Sequence, residues 1–264
     1  MKTKKYLYAA KTVFLSQAAY PTRFFALLFA DGIPLLIYLF LWKTIFATQS
    51  NVKGYTLPMI VTYYAITFTI RELTDSKTIT KEISSHIRSG DLSNFLIKPV
   101  DFNIFHFSKV LTKKSVASVF PIIFLILLFT FFKEYFLPPH NTGLFVVSLV
   151  FGALIAHFIF SILGLIAFWT VNTWGIVSIF GRFASIASGS VFPLDFLPNW
   201  ALELTKFFPF QYMTYIPAAI YIDKISSTEA AIHIVIQLIW IIGLAGVYKI
   251  LWGKALKRYD AVGQ

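Results

Sequence analysis

Apolar residues in this chain neither alternate nor keep to one face of a helix; they run on in long blocks. About six blocks approach the roughly 17–25 residues that a bilayer-crossing helix needs. They are 24–46, 55–70, 115–132, 143–170, 174–192 and 230–252. The fourth holds no charged residue and is long enough to be tilted. The fifth is interrupted by Arg182, and the sixth is uncharged until Lys249 near its end. A cleaved leader would need a shorter apolar region and then a small-residue cleavage site, so the first block predicts a spanning helix.

Between the second and third blocks the pattern changes. Over 78–89, Ile79, Ile83 and Ile87 recur every four positions, while Lys81, Glu82 and Arg88 occupy the other faces. That spacing predicts an amphipathic helix with a narrow apolar stripe. Gly90 supplies a stop, Asp91 an N-cap, and Leu92, Phe95 and Leu96 a second apolar face before Pro99. Two apolar faces in a polar loop should dock on something. The occupant is either the chain's own helix ends or a soluble partner.

Two further segments are amphipathic in other ways. On 4–20, Tyr6, Leu7, Ala10, Val13 and Phe14 lie opposite Lys4, Lys5, Lys11, Thr12 and Ser16. This predicts an interfacial helix on a lipid surface, or else an extension of the first span. The stretch 191–224 is too proline-rich to span, with Pro193, Pro198, Pro209 and Pro217, yet too apolar for an ordinary loop. Trp200, Tyr212, Tyr215 and Tyr221 suit a membrane interface. Short re-entrant helices in the outer leaflet fit this pattern, and backbone at such depth must be covered by protein or line a cavity. Pro193, Pro198, Trp200 and Pro209 are the candidates for an outer gate; a structural cap is the alternative.

Composition agrees with the blocks, since 57% of the 264 residues are hydrophobic and 13% charged. A net charge of +11 would suggest nucleic acid in a soluble protein, but here its placement decides the matter. With both termini cytoplasmic, Lys and Arg concentrate in the N-terminal segment, in 71–114 and at the C-terminal end. The outside receives only Lys43, Lys53, Lys133, Lys206 and Lys224. The positive-inside rule therefore puts the polar loop in the cytoplasm and makes lipid, not nucleic acid, the partner. Cysteine is absent, which excludes disulfides and thiolate metal sites.

Candidate chemistry is sparse. No phosphate-binding G-x-x-x-x-G-K-[ST] occurs; Gly253 and Lys254 are followed by Ala255 and lack the earlier glycine. His86, His106, His140, His157 and His233 form no HExxH pair, and Ser185 and Ser190 sit in no G-x-S-x-G frame. No catalytic residue and no metal ligand set is predicted. Asp31 and Arg182 both fall inside apolar blocks, each about 12 Å from the cytoplasmic start of its span at 1.5 Å per residue. Intramembrane charges tend to pair, which makes Asp31 and Arg182 a candidate ion pair; a bend cap and an inner-leaflet anchor are the alternatives.

The full pattern resembles an ABC-2 type permease. The wording IRSGDLSNFLIKPVD in the loop and FPLDFLPNWALELTKFFPF in the outer segment resembles the DUF990-like branch of that superfamily. The resemblance implies an all-α polytopic fold of the type V exporter kind, a single transmembrane domain over 1–264. It would have six transmembrane helices, an interfacial helix at 1–22, a cytoplasmic coupling loop at 71–114 and extracytoplasmic re-entrant helices within 191–229. It implies a permease subunit of an ABC exporter in a bacterial plasma membrane, paired with a second, unlike permease. Cytoplasmic ATPase subunits would bind the ATP and Mg, and this chain would hold no cofactor directly. The coupling residues it implies are Ile83, His86, Ile87, Arg88, Asp91, Leu92, Phe95 and Leu96. The aromatic content, including 29 Phe, suits an apolar or amphipathic substrate. An intramembrane enzyme and a non-transporting anchor or channel subunit are the rival readings.

Overall fold

A computed structural model describes residues 22–74, 77–97, 102–170 and 174–259, with the side chains of 22–32, 103, 116, 117, 120, 121 and 124 outside the description. The predicted interfacial helix at 1–22 therefore lies almost wholly outside the described residues. The elements are α1 (Thr22–Phe46), α2 (Leu57–Thr74), α3 (Lys77–Arg88), α4 (Leu92–Leu96) and α5 (Phe102–Phe131), followed by α6 (Thr142–Leu165), α7 (Trp174–Ala187), α8 (Asn199–Lys206), α9 (Tyr215–Tyr221) and α10 (Ser227–Leu256). Among the described residues the only extended pairing is one isolated bridge, Val52 to Tyr55.

Each apolar block falls on a helix, but the helices differ in reach. α6 with its following turn (Thr142–Phe168) and α10 are long and apolar enough to cross a bilayer by length and composition. α7 is helical over 14 residues only, a rise of about 21 Å, against a hydrocarbon core of about 30 Å. The fifth block, read as continuous over 174–192, ends its helix at Ala187 because the chain turns at Gly189, whose φ of +79° favours a residue without Cβ.

α2 and α6 form the centre. Ile60, Tyr63, Ile66 and Ile70 of α2 and Ile155, Ala156 and Phe160 of α6 are almost completely buried in one large cluster. α10 packs along α6 yet exposes most of its apolar surface, including Ile239 at 63% and Ile242 at 65%. A face so apolar and so exposed marks a surface covered by lipid or by another chain. α1, α5 and α7 present similar exposed rows, such as Phe40, Ile126 and Ile179.

The starts of α6 and α10 mark one end of the bundle. Asn141 caps α6 by accepting from the Leu144 amide, and Ser226 with Glu229 forms a reciprocal capping box on α10. Asn141 Nδ2 also donates to Ser227 Oγ at 3.3 Å, which ties the two starts together. At the opposite end a second, smaller cluster joins α3, α4, the start of α5 and the end of α6.

Candidate functional site

The structure carries two arrangements that sequence patterning pointed to, one at each end of the bundle. At the first, α3 and α4 form a hairpin whose apolar stripe turns inward. Ile79, Ile83, Ile87 and Leu92 are buried against Leu165, Ala167 and Tyr248. The seat on α6 is close. A carbon added at Gly164 would stand 2.9 Å from Ile83 Cβ. Thr80 Oγ1 donates to the Phe160 carbonyl at 2.7 Å, and Ser84 Oγ to the Gly164 carbonyl at 3.4 Å. α3 is thereby fastened to α6 along two of its turns. Gly90 makes the bend with φ +77°, and Tyr259 beyond α10 donates to its carbonyl at 2.9 Å.

Of the eight residues that the resemblance implied for coupling, Ile83, Ile87 and Leu92 thus face the chain itself. Phe95 is half-buried, with its ring 5.2 Å from His86 and 5.4 Å from both Phe102 and Phe105. Arg88, Asp91 and Leu96 face outward, joined by Ile97 at 82% exposure, which the apolar spacing did not single out. Asp91 stands at the N-cap position of α4 but makes no capping bond. Its backbone is already helical, so the carboxylate turns to accept from Ser89 Oγ at 2.7 Å instead.

A polar group underlies the hairpin. Lys109 Nζ donates to Glu82 Oε2 at 3.2 Å, and His106 Nδ1 stands 3.5 Å from the same oxygen, at the outer limit of a hydrogen bond. Burial pulls the Glu82 carboxyl up, but the neighbouring His106 and Lys109 outweigh it and hold it down at about 2. Burial, then His106 and Lys109, push the His86 imidazole below its usual range. Because the folded carboxyl is depressed, its contribution to stability is present above about 4.5 and is lost as pH falls toward about 2. Glu82→Gln should therefore cost about 1 kcal/mol at pH 7, as a partly exposed pair does. In thermal unfolding the gap from the parent chain should close between those two pH values.

At the other end, the proline-rich segment enters the bundle in two legs. The first leg, after Gly189, ends in a turn at Leu194–Phe196 and leads out to α8. The second returns through a turn at Pro209–Met213 and leaves by α9, with every residue of 209–220 buried. Its deepest contacts lie about ten residues along both α6 and α10, some 15 Å from their starts. There Gln237 of α10 donates to the carbonyls of Ser148 at 2.9 Å and Tyr212 at 3.0 Å. A carbon added at Gly152 would stand 2.6 Å from the Tyr212 carbonyl oxygen. Only glycine lets the returning backbone lie on α6, and only a donor at 237 satisfies the carbonyl placed there.

Nearer the bundle end, Asp195 fastens this segment to the loop before α2. Its Oδ2 accepts from the Tyr55 hydroxyl and, at 2.9 Å, from the Tyr215 hydroxyl. Lys224 Nζ sits 4.4 Å over the Tyr55 ring and donates to the carbonyls of Lys53 and Gly54. Of the four gate candidates, Pro193 and Pro209 are buried, whereas Pro198 and Trp200 are exposed, Trp200 at 71%. They do not converge. The residues that hold the segment are Tyr55, Gly152, Asp195, Tyr215 and Gln237; proline and aromatic content singled out Tyr215 alone of these, and for a membrane interface instead of the buried anchor it is. Arg182 is exposed on α7; the Asp31 side chain, and with it the candidate ion pair, lies outside the described residues. Among the described residues no group of His, Cys, Asp and Glu could hold a metal.

Among the described residues, a helical bundle with two helices long and apolar enough to cross a bilayer and a buried, doubly anchored segment has the makings of an integral membrane protein. The chain belongs to the ABC-2 transporters: the family described as ABC-2 family transporter protein matches residues 33–263. Its role is that of a permease component. Among curated proteins, none matches the chain at a significant level.

Proposed function

We propose that the chain is the permease subunit of an ABC exporter, in which the α3–α4 hairpin receives the thrust of a cytoplasmic ATPase. The observation that carries this reading is the two-sided hairpin. Its inner face is locked to α6 through Gly164, Ile83 and Thr80, while Arg88, Leu96 and Ile97 face outward. The hairpin is thus fixed through α3 and offers an exposed apolar tip at the end of α4.

The path of that force follows from packing. α6 is held at one end by α3 and at mid-length by the re-entrant turn, through Gly152 and Gln237. Displacement of the hairpin would move α6 and the turn as one body, because packed interiors deform little. The re-entrant segment would then be the moving closure of the pathway. ATP and Mg belong to the ATPase subunit. A second permease, unlike this one, would complete the pore, and both termini would lie in the cytoplasm of a bacterium. An apolar or amphipathic substrate fits the aromatic-rich interior.

Affinity purification of the full chain should bring down an ATP-hydrolysing subunit whose rate changes when the chain is reconstituted beside it. Cysteine at the exposed Ser85 should react with an impermeant thiol reagent only from the ATPase side, and cysteine at Ser227 only from the other. An unchanged hydrolysis rate would favour an anchor. Reaction of both positions from one side would overturn the orientation.

A further inference from the structure

The two arms of the hairpin are held by different helices. α3 is tied to α6 through Thr80 and Ser84. α4 is five residues long, Asp91 gives it no capping bond, and Leu92 is its one fully buried residue. A helix so short is marginal on its own. The remaining hold comes from the far end of the sequence, 169 positions beyond Gly90. After α10 the backbone makes one more turn, in which the Arg258 and Tyr259 amides donate to the carbonyls of Ala255 and Leu256. That turn carries Tyr259 back to the bend, its ring edge to face with Phe168 at 5.9 Å. The Tyr259 hydroxyl donates to the Gly90 carbonyl at 2.9 Å and lies 3.3 Å from Ser93 Oγ. A phenol has one proton, and with that proton on Gly90 the bond to Ser93 is one it accepts. One side chain thus grips both the bend and the first turn of α4. Trp252 of α10 stacks on Phe102 at 5.1 Å and keeps this end of α10 beside the start of α5.

We propose that Tyr259 is a positioning residue, a clasp that sets the angle of α4 and makes α10 a second link, beside α6, between the hairpin and the re-entrant turn. α10 carries the clasp at one end and, about 29 Å away at 1.5 Å per residue, the Gln237 bond to the Tyr212 carbonyl. Load on the exposed tip, Leu96 and Ile97, reaches α6 through α3 and α10 through Tyr259. The clasp is separable from folding. The Gly90 carbonyl also accepts from the Ser93 amide at 3.1 Å, so it stays satisfied when the phenol hydroxyl is removed. The load path rests on the permease reading, whereas the clasp stands on the hairpin geometry alone.

The chain has no cysteine, so nitroxides on Ser85→Cys and Ile97→Cys, one on each arm, can report the hairpin angle as a spin-spin distance in vesicles holding the chain alone. The parent should give one narrow distance. Tyr259→Phe should raise the share of splayed hairpins by about fivefold, as loss of one or two neutral hydrogen bonds implies. Ser93→Ala, which removes only the accepted bond, should act in the same direction by less. A second reading uses the complex with its ATPase and a bimane on Trp200→Cys in the exposed α8 at the other end of the bundle. Its emission should change with ATP and vanadate, and Tyr259→Phe should cut that change by about the same factor while position 97 still captures the ATPase. A tyrosine that serves folding alone would leave the nucleotide response intact. An unchanged hairpin distance, an undiminished response in Tyr259→Phe, or loss of ATPase capture would overturn the proposal. Absence of any nucleotide response in the parent would sink the permease reading instead, and the distances measured on the chain alone would still decide the clasp.

Discussion

Gly152→Val should abolish recovery of folded protein, whereas Gly246→Val, also on a transmembrane helix, should be tolerated. At Gly152 a new side chain meets the Tyr212 carbonyl oxygen at 2.6 Å, the Met213 oxygen at 3.1 Å and Met213 Cα at 3.3 Å. All three are backbone, so no rotamer change relieves the clash. The turn must lift away from α6, and the Gln237 bond to Tyr212 is lost with it. Overpacking of this kind costs about 1–3 kcal/mol before the broken hydrogen bond is counted, and a carbonyl left unpaired in the interior adds about 1–3 kcal/mol. At Gly246 an added carbon meets nothing within 4 Å. Gln237→Leu isolates the hydrogen-bond part of the effect and should lower thermal stability less than Gly152→Val does. Monodisperse yield and melting temperature of the detergent-extracted chain read all three variants.

The second large effect is functional and leaves the fold intact. Leu96→Asp with Ile97→Asp should leave insertion and melting temperature unchanged but reduce ATP-driven transport by tenfold or more. Leu96 and Ile97 are 48% and 82% exposed, so the free chain gains little from them. Docked in a partner's groove, each would contribute up to about 1.5–3 kcal/mol, part of which is lost to ordering. A remainder of about 1.4 kcal/mol already changes affinity tenfold. Phe95→Ala should behave differently. Its ring is packed among His86, Phe102, Phe105 and His106, so its loss loosens the hairpin itself.

Much of the fold was legible because membrane helices are written in composition. Uninterrupted apolar runs on α6 and α10 need no tertiary information to be recognised. The bend at Gly90 was equally legible, since a glycine after an amphipathic run has one common use. The docking face was not. Periodicity shows that Ile83, Ile87 and Leu92 form a stripe, but a stripe seated on α6 and a stripe offered to a partner have the same spacing. Only Gly164, about eighty positions away, decides between them, and a glycine in an apolar run carries no label. The anchors of the re-entrant segment were hidden for a similar reason. Gln237 and Asp195 are single polar residues in apolar surroundings, which marks them as constrained but does not identify their partners. Arg182, read as the interruption of the fifth block, sits exposed within a continuous helix; the block ends instead at the turn at Gly189, seven residues further on.

The central claim is that the outer edge of the α3–α4 hairpin is the surface on which the ATPase rests. It is tested most directly by placing a short photo-crosslinker on cysteine at position 97, in the assembled complex within membranes, with position 227 at the other end of the bundle as the control. The account predicts that Ile97→Cys captures the ATP-hydrolysing subunit, in a yield that rises and falls with nucleotide, and that Ser227→Cys captures none. Capture of the ATPase from position 227, or of lipid alone from position 97 in a complex that still transports, would contradict it.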